Sequence, residues 1–368
     1  FSEVQTSKGK TSRMDRVRKT GSVQECMDEM LNELGALFRH TFNAEWQREQ
    51  LRQLRADLPQ GWALVTCDFA ENFLCKFQDE PQSAHWAYKQ VTLFPAVAFY
   101  HCTTAGCEEV TREEVAFLCD DLKKDAHMSD AIIKRILAHL REKMGSELKK
   151  VILASNGCAA QFKSKLPFYF LSQTKLDGVQ VERVYFGARH GKNDSDWSGG
   201  AIKRSVTRDL AAGVVCVRNA KDMYEHCVQT LAFQDSCGHC VHISRQFVLL
   251  TPDEIVRSNV SSKDVGTLPG SRKIHHVRSL APCVLATRQL CCFCGHCRVG
   301  GYDRCVSREH AGGWEVVKLK YSGPQREEEE SDLSEVEEDA CSSSESEDDS
   351  VGGTLIDSDL EDYEGVAP

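Results

Sequence analysis

No stretch of the 368-residue sequence approaches the roughly 18 consecutive apolar residues that a membrane-crossing helix needs, so a spanning protein is excluded and a soluble chain is expected. An apolar segment of the secretory kind is missing from the start, and the chain opens on Phe1 rather than Met, so an intracellular protein lacking its own beginning is expected. No internal repeat is evident, and the length suits two or three globular units. Lys and Arg are absent from Glu327 to Pro368, where 18 of the 55 acidic residues gather. The formal charge of -10 therefore misleads: set against 45 basic residues, the other 37 acidic ones leave a balance of +8 on the rest of the chain. A mildly basic body with an acidic tail suits a polyanionic partner. What the sequence has in quantity is cysteine, 18 residues, which inside a cell read as thiols and metal ligands rather than bridges.

Residues 1–20 carry Lys8, Lys10, Arg13, Arg16, Arg18 and Lys19 with few apolar neighbours and read as a disordered basic arm or nuclear-import signal. Over 21–60, Val23, Met27, Met30, Leu31, Leu34, Leu37, Phe38 and Phe42 recur at helical spacing after the capping-box pair Ser22 and Glu25. Residues 61–217 give strands at 63–68, 90–101 and 115–119, a helix over 129–144 capped by Ser129, a strand at 150–155, a helix near 159–165, a strand at 181–186 and a helix over 196–212. The order βββαβαβα implies one mixed sheet with helices on its faces. Residues 218–322 form a Cys/His-rich module with short strands near 246–250 and 316–320, and 323–368 are an acidic, serine-rich tail unable to bury enough apolar surface to fold.

That order is the one found in ribonuclease H-like domains, and it predicts that the first and fourth strands lie side by side. Asp68 would then end the first strand, Asn156 the fourth, and Asp196 would open the last helix. Two-ion phosphodiester chemistry needs such converging carboxylates, because hard dications are held by anionic oxygens. The phrases Cys67-Asp68-Phe69-Ala70-Glu71-Asn72, Ser155-Asn156-Gly157-Cys158-Ala159-Ala160-Gln161-Phe162 and Phe186-Gly187-Ala188-Arg189-His190-Gly191-Lys192 together resemble DDE-type transposases, particularly transposon-derived reading frames in animal genomes. The likeness runs from about Ser22 to Trp314. It implies an α/β, ribonuclease H-like mixed sheet flanked by helices, DNA as substrate, Mg²⁺ or Mn²⁺ as cofactor, Asp68 as first acid and Asp196, ahead of Asp194, as third. The family writes Asp-Gly where this chain has Asn156-Gly157, so one metal ligand has lost its charge and strand transfer is expected to be weak or lost. The other reading of Asn-Gly is a turn opener.

Between Lys163 and Arg208 nine basic residues face four acidic ones. Lys163, Lys165, Arg189, His190, Lys192, Lys203 and Arg204 are the DNA-contacting candidates, with His190 also a candidate proton shuttle. The pattern C-x-C-x₂-C-x₇-C of Cys292, Cys294, Cys297 and Cys305 fits one structural Zn²⁺, with Cys291 and His310 as substitutes for the first ligand. The run Cys237-Gly238-His239-Cys240-Val241-His242 could hold a second ion but lacks a visible partner pair, Cys227, His226, His275 and His276 being only candidates. Cys67, Cys75, Cys102, Cys119 and Cys216 read as small buried side chains, and Trp62, Trp86, Trp197 and Trp314 as core. The sequence therefore points to a transposase-derived nuclear DNA-binding protein with an impaired two-ion site, or to a non-catalytic DNA- or chromatin-associated scaffold. Its expected partners are DNA, chromatin proteins through the tail, and a second copy of the chain, but no membrane.

Overall fold

The computed structural model describes residues 2–6, 9–13, 18–75, 88–187, 193–236, 240–257 and 260–323. Strands β1 (Ser2–Thr6) and β2 (Gly9–Arg13) pair antiparallel, in the stretch whose composition predicts an arm without structure. Ser22 and Glu25 close a capping box at the head of α1 (Val23–Ala56), one unbroken helix.

Then follow β3 (Trp62–Cys67), the two-residue β4 (Phe73–Leu74), β5 (Gln90–His101), β6 (Val110–Cys119), α2 (Ala126–Met144), β7 (Lys150–Ser155), α3 (Lys165–Gln173), β8 (Gln180–Tyr185) and α4 (Asp194–Ala211). The remainder runs α5 (Ala220–Thr230), β9 (Phe233–Ser236), β10 (Val241–Leu249), β11 (His276–Ala281), β12 (Val284–Arg288), the short α6 (Gly295–Arg298) and α7 (Arg308–Ala311), and β13 (Glu315–Lys318). No helix among the described residues is long and apolar enough to cross a membrane.

Eleven strands make one mixed sheet, ordered β13-β12-β11-β8-β7-β3-β5-β6-β10-β9 with β4 added against β5. Pairing is parallel for β3·β7, β7·β8 and β6·β10 and antiparallel elsewhere. The central strands β3 and β7 are buried along their whole length, as strands covered on both faces must be. One face packs Val65, Phe94 and Leu153 against Ile132, Ile136 and Leu140 of α2 and Phe168 of α3. The other packs Leu64, Val97 and Ile152 against Leu51 and Leu54 of α1, and Leu93 and Leu118 against Ile202, Val206 and Met223 of α4 and α5.

Several boundaries move for identifiable reasons. Helix α2 begins at Ala126 because Asp125 caps it, accepting from the Met128 N–H at 3.0 Å; Ser129 is buried and bonds back to the Asp125 carbonyl. The helix expected at 159–165 is a turn, and α3 starts at Lys165 because Pro167, which has no N–H to donate, is tolerated only in a first turn. Residues 218–322 do not stand apart as a module: they supply five strands to the same sheet, and the chain through Gly323 is one compact unit. The acidic tail expected from 323 lies, from Pro324 on, outside the described residues.

Candidate functional site

The register of β3 against β7 pairs Thr66 with Ala154, which carries the chain on each side to Asp68 and Asn156. Their side chains touch: Asn156 Nδ2 donates to Asp68 Oδ1 at 2.9 Å and Oδ2 at 2.7 Å. The amide's orientation follows from its other contact, because Asn156 Oδ1 accepts from the Cys158 N–H at 2.9 Å, a partner that an NH₂ group could not serve. Asn156 thus opens a turn and also meets the first acid. Asp68 is 9 % exposed and also accepts from the Phe69 N–H at 2.8 Å. Burial pushes its carboxyl up to about 7, with the nearby Asp196 charge acting the same way and outweighing the Phe69 and Asn156 donors and Lys124.

Asp196 sits in the first turn of α4 rather than opening it, and its Oδ2 accepts from the Asn193 N–H at 3.1 Å in a capping box. Asp194 pairs with Arg55 of α1 at 3.0 Å, and it is the Asp196 charge that bears on Asp68. Gly199 lets α4 come this close: a Cβ there would lie 3.2 Å from both Ala70 and Pro95.

These residues do not fit a two-ion centre. Both Asp68 oxygens face amide hydrogens, the amide oxygen is turned to the Cys158 N–H, and a cation beside Asp68 would meet an Nδ2 that has no lone pair to offer. The arrangement instead holds a buried carboxyl that exchanges a proton near neutrality.

Of the basic candidates, Arg189, His190 and Lys192 lie outside the described residues. Lys163 donates to the Arg272 carbonyl at 2.8 Å, Lys203 to the Glu71 carbonyl at 3.3 Å, and Arg204 is exposed on α4. Lys165 lines a cleft of about 460 Å³ with Lys123, Ala159, Ser164 and Arg257. Arg183, counted with the basic surplus in the sequence, is a core residue of β8, 3 % exposed. Trp197 is the reverse case: expected in the core, it is 59 % exposed, next to Asp196, with the Arg112 guanidinium 5.7 Å from its ring. Trp86 lies outside the described residues.

Two cysteine-rich clusters have donor sets compatible with zinc. Cys292, Cys294, Cys297 and Cys305 bring their sulfurs within 4.8 Å of one another, the set expected from the sequence. Cys291 and His310 stand outside it, Cys291 donating its N–H to Gln47 and His310 packing on Phe42 and Trp46. Arg288, 3 % exposed, donates to Cys305 Sγ at 3.0 Å and Cys297 Sγ at 3.6 Å. Burial opposes its charge, yet those sulfur bonds hold its pKa above the usual value. A bond from Cys297, helped by Cys305, likewise pulls the Cys292 thiol below its ordinary value.

The second cluster joins Cys240 and His242, from the run named in the sequence, to Cys102 and Cys107, the partner pair that sequence reasoning missed. Cys102 is not a plain core side chain, and Cys107 carries no signal of its own. Cys216 is exposed, whereas Cys67, Cys75 and Cys119 are buried as expected. The other ligand candidates are engaged elsewhere: His226 with Asp209, His276 with Glu182, and His275 with the Gln289 carbonyl, while Cys227 is on the buried side of α5. Cys237 and His239 lie outside the described residues.

A family model described as a domain of unknown function (DUF8701) matches residues 47–291, a span that holds Asp68, Asn156, Asp196 and the Cys102 cluster and stops short of Cys292. No curated protein matches.

Proposed function

The chain belongs to the DUF8701 family, whose description carries no activity, and we propose from its own residues that it is a transposase-derived, ribonuclease H-like nuclear protein that binds DNA without cutting it. The observation that carries this reading is the Asn156 amide donating to both oxygens of Asp68. It puts an amide–carboxyl hydrogen-bonded pair where a metal bridge would be, and leaves Asp196 as the nearby carboxylate whose charge bears on Asp68.

The fold supports the ancestry: within the sheet the order β6-β5-β3-β7-β8 sets the first and fourth strands of the βββαβαβα series next to each other, so that Asp68 and Asn156 meet. DNA binding is supported by the charge balance of the body and by the exposed Trp197, which offers a base-stacking face beside the basic side of α4. The acidic tail is assigned to chromatin proteins by charge alone.

Structural Zn²⁺ at Cys292, Cys294, Cys297 and Cys305 belongs to the same reading. A buried guanidinium needs anionic partners, and among the described residues Arg288 has sulfur rather than carboxylate for that purpose. Four thiolates around one dication would keep a net negative charge for it to neutralise. A second copy of the chain is the remaining partner, supported by the exposed apolar residues on the first half of α1.

The test is Mn²⁺-dependent cleavage of a labelled duplex by the unaltered chain, Asn156→Asp and Asp68→Ala, alongside salt-dependent duplex binding. No cleavage by the unaltered chain, with binding that weakens steeply as salt rises and again on Trp197→Ala, is expected. Asn156→Asp is expected to recover cleavage that adding Asp68→Ala removes. Cleavage by the unaltered chain that Asp68→Ala abolishes would make it an active nuclease, and absence of salt-sensitive binding would end the DNA assignment.

A further inference from the structure

We propose that Cys102, Cys107, Cys240 and His242 form a second, closed zinc site that fastens the β9–β10 edge to the rest of the sheet. The four donors come from two places far apart in sequence. Cys102 follows the last residue of β5 and Cys107 lies in the loop before β6, while Cys240 and His242 flank the start of β10. Cys107 Sγ is 3.1 Å and Cys240 Sγ 3.0 Å from His242 Nε2, Cys240 Sγ is 3.6 Å from Cys107 Sγ, and all four donor atoms lie within 4.8 Å of one another. A tetrahedral ion with Zn–S near 2.3 Å and Zn–N near 2.0 Å separates its ligand atoms by about 3.5–3.8 Å, so only small adjustments are needed. Three thiol ligands and an imidazole select a borderline-soft ion over Mg²⁺ or Ca²⁺. Four protein ligands leave no open position, which makes the site structural rather than catalytic.

The backbone on both sides is shaped for this meeting. Between Cys102 and Cys107 the loop turns through Gly106, at φ 79°, and is tied by bonds from the Cys107 N–H to the Thr104 carbonyl and from the Cys102 N–H to the Glu109 carbonyl. On the other side the β9·β10 ladder slips between Val241 and Ile243, so that His242 is the extra residue of a bulge. Bulges re-aim side chains where a sheet edge has a task. The consequence follows from topology. β10 lies parallel to β6, from Ile243 beside Arg112 to Leu249 beside Leu118, after a return of more than a hundred residues. An ion clamping the first residues of β10 to the β5–β6 loop fixes that register at its starting end.

The experiment is metal analysis of the full chain purified in reductant. Two zinc ions per chain are expected, falling to one on Cys107→Ser and, independently, to one on Cys294→Ser. Since Cys107→Ser could unfold the chain and release both ions, His242→Cys serves as the second variant: it is expected to keep two zinc ions and, with Co²⁺ in their place, to strengthen the thiolate-to-cobalt charge-transfer band. A zinc count that Cys107→Ser leaves unchanged in a folded chain, a cobalt band unmoved by His242→Cys, or a disulfide among the three cysteines in the reduced protein would each overturn the proposal. None of these outcomes bears on DNA cleavage, so this site and the Asp68 site stand or fall separately.

Discussion

That position 156 carries an amide and not a carboxylate decides what Asp68 can be. In a two-ion centre its charge would be offset by dications, whereas here it is offset by two N–H donors and opposed by burial and Asp196. Its carboxyl, ordinarily near 3.8, therefore ionises at about 7. The linkage sign follows: between pH 4 and 7 the unfolded chain has lost this proton and the folded chain still holds it, so Asp68 costs stability progressively as pH rises through that window. Taken in full the difference would be about 4 kcal/mol. Contact with solvent and the awkward meeting of two amides reduce it, so Asp68→Asn is expected to stabilise the chain by about 1–2 kcal/mol at pH 8 and by almost nothing at pH 4. Urea midpoints at the two pH values check this, and an equal gain at both would show that Asp68 is not holding a raised pKa. The expected pairing of the first and fourth strands made the meeting of positions 68 and 156 legible in the sequence. The sequence could not show which end of the amide would face the carboxylate, because that depends on the Cys158 N–H, a backbone group with no signature of its own.

Helix α1 shows at the scale of an element how periodicity can place a helix and still misassign its buried side. Its start was legible in Ser22 and Glu25, and its apolar spacing is regular. Yet Met30, Leu31 and Phe38 are exposed, and two of its most buried residues are Gln47 and Gln50. The cause is backbone left open where the helix meets the sheet: Gln47 donates to the Tyr185 carbonyl and accepts from the Cys291 N–H, and Gln50 accepts from the Phe293 N–H. Gln47→Ala strands two buried backbone groups, and a loss of about 2–4 kcal/mol is expected in urea unfolding, against little change for the exposed Gln53→Ala. Equal losses for the two would show that these bonds are dispensable. The metal clusters divide along the same line. Cys292, Cys294, Cys297 and Cys305 lie within one short stretch and could be read from spacing, whereas Cys102 and Cys107 meet Cys240 and His242 only when β10 takes its place beside β6, a pairing that no local pattern announces.

For the molecule as a whole, the unresolved balance is between a well-packed sheet and the bare first half of α1. Val23, Met27, Met30, Leu34 and Leu37 alternate at spacings of four and three, the seam of a coiled coil, over a length of about 21 Å. Glu25, Asp28, Glu29 and Glu33 lie within this segment and Arg39 just beyond its end. A parallel pair would set these acids against one another in register, whereas an antiparallel pair staggers them and brings Arg39 of each copy toward the acidic start of the other. That favours an antiparallel dimer in which the two sheets lie at opposite ends of the helix pair and each keeps its own Asp68 pocket. Met30→Glu with Leu37→Glu is expected to convert the chain from dimer to monomer in sedimentation equilibrium. The thermal midpoint of the sheet, followed on the monomer at low concentration, should stay nearly unchanged, since neither residue touches the core. Because the dimer would present two basic bodies to one duplex, the same pair of substitutions should also weaken DNA binding while leaving the zinc content intact. A wild-type chain that sediments as a monomer at all concentrations tested would remove the dimer and, with it, the expectation of bivalent DNA binding.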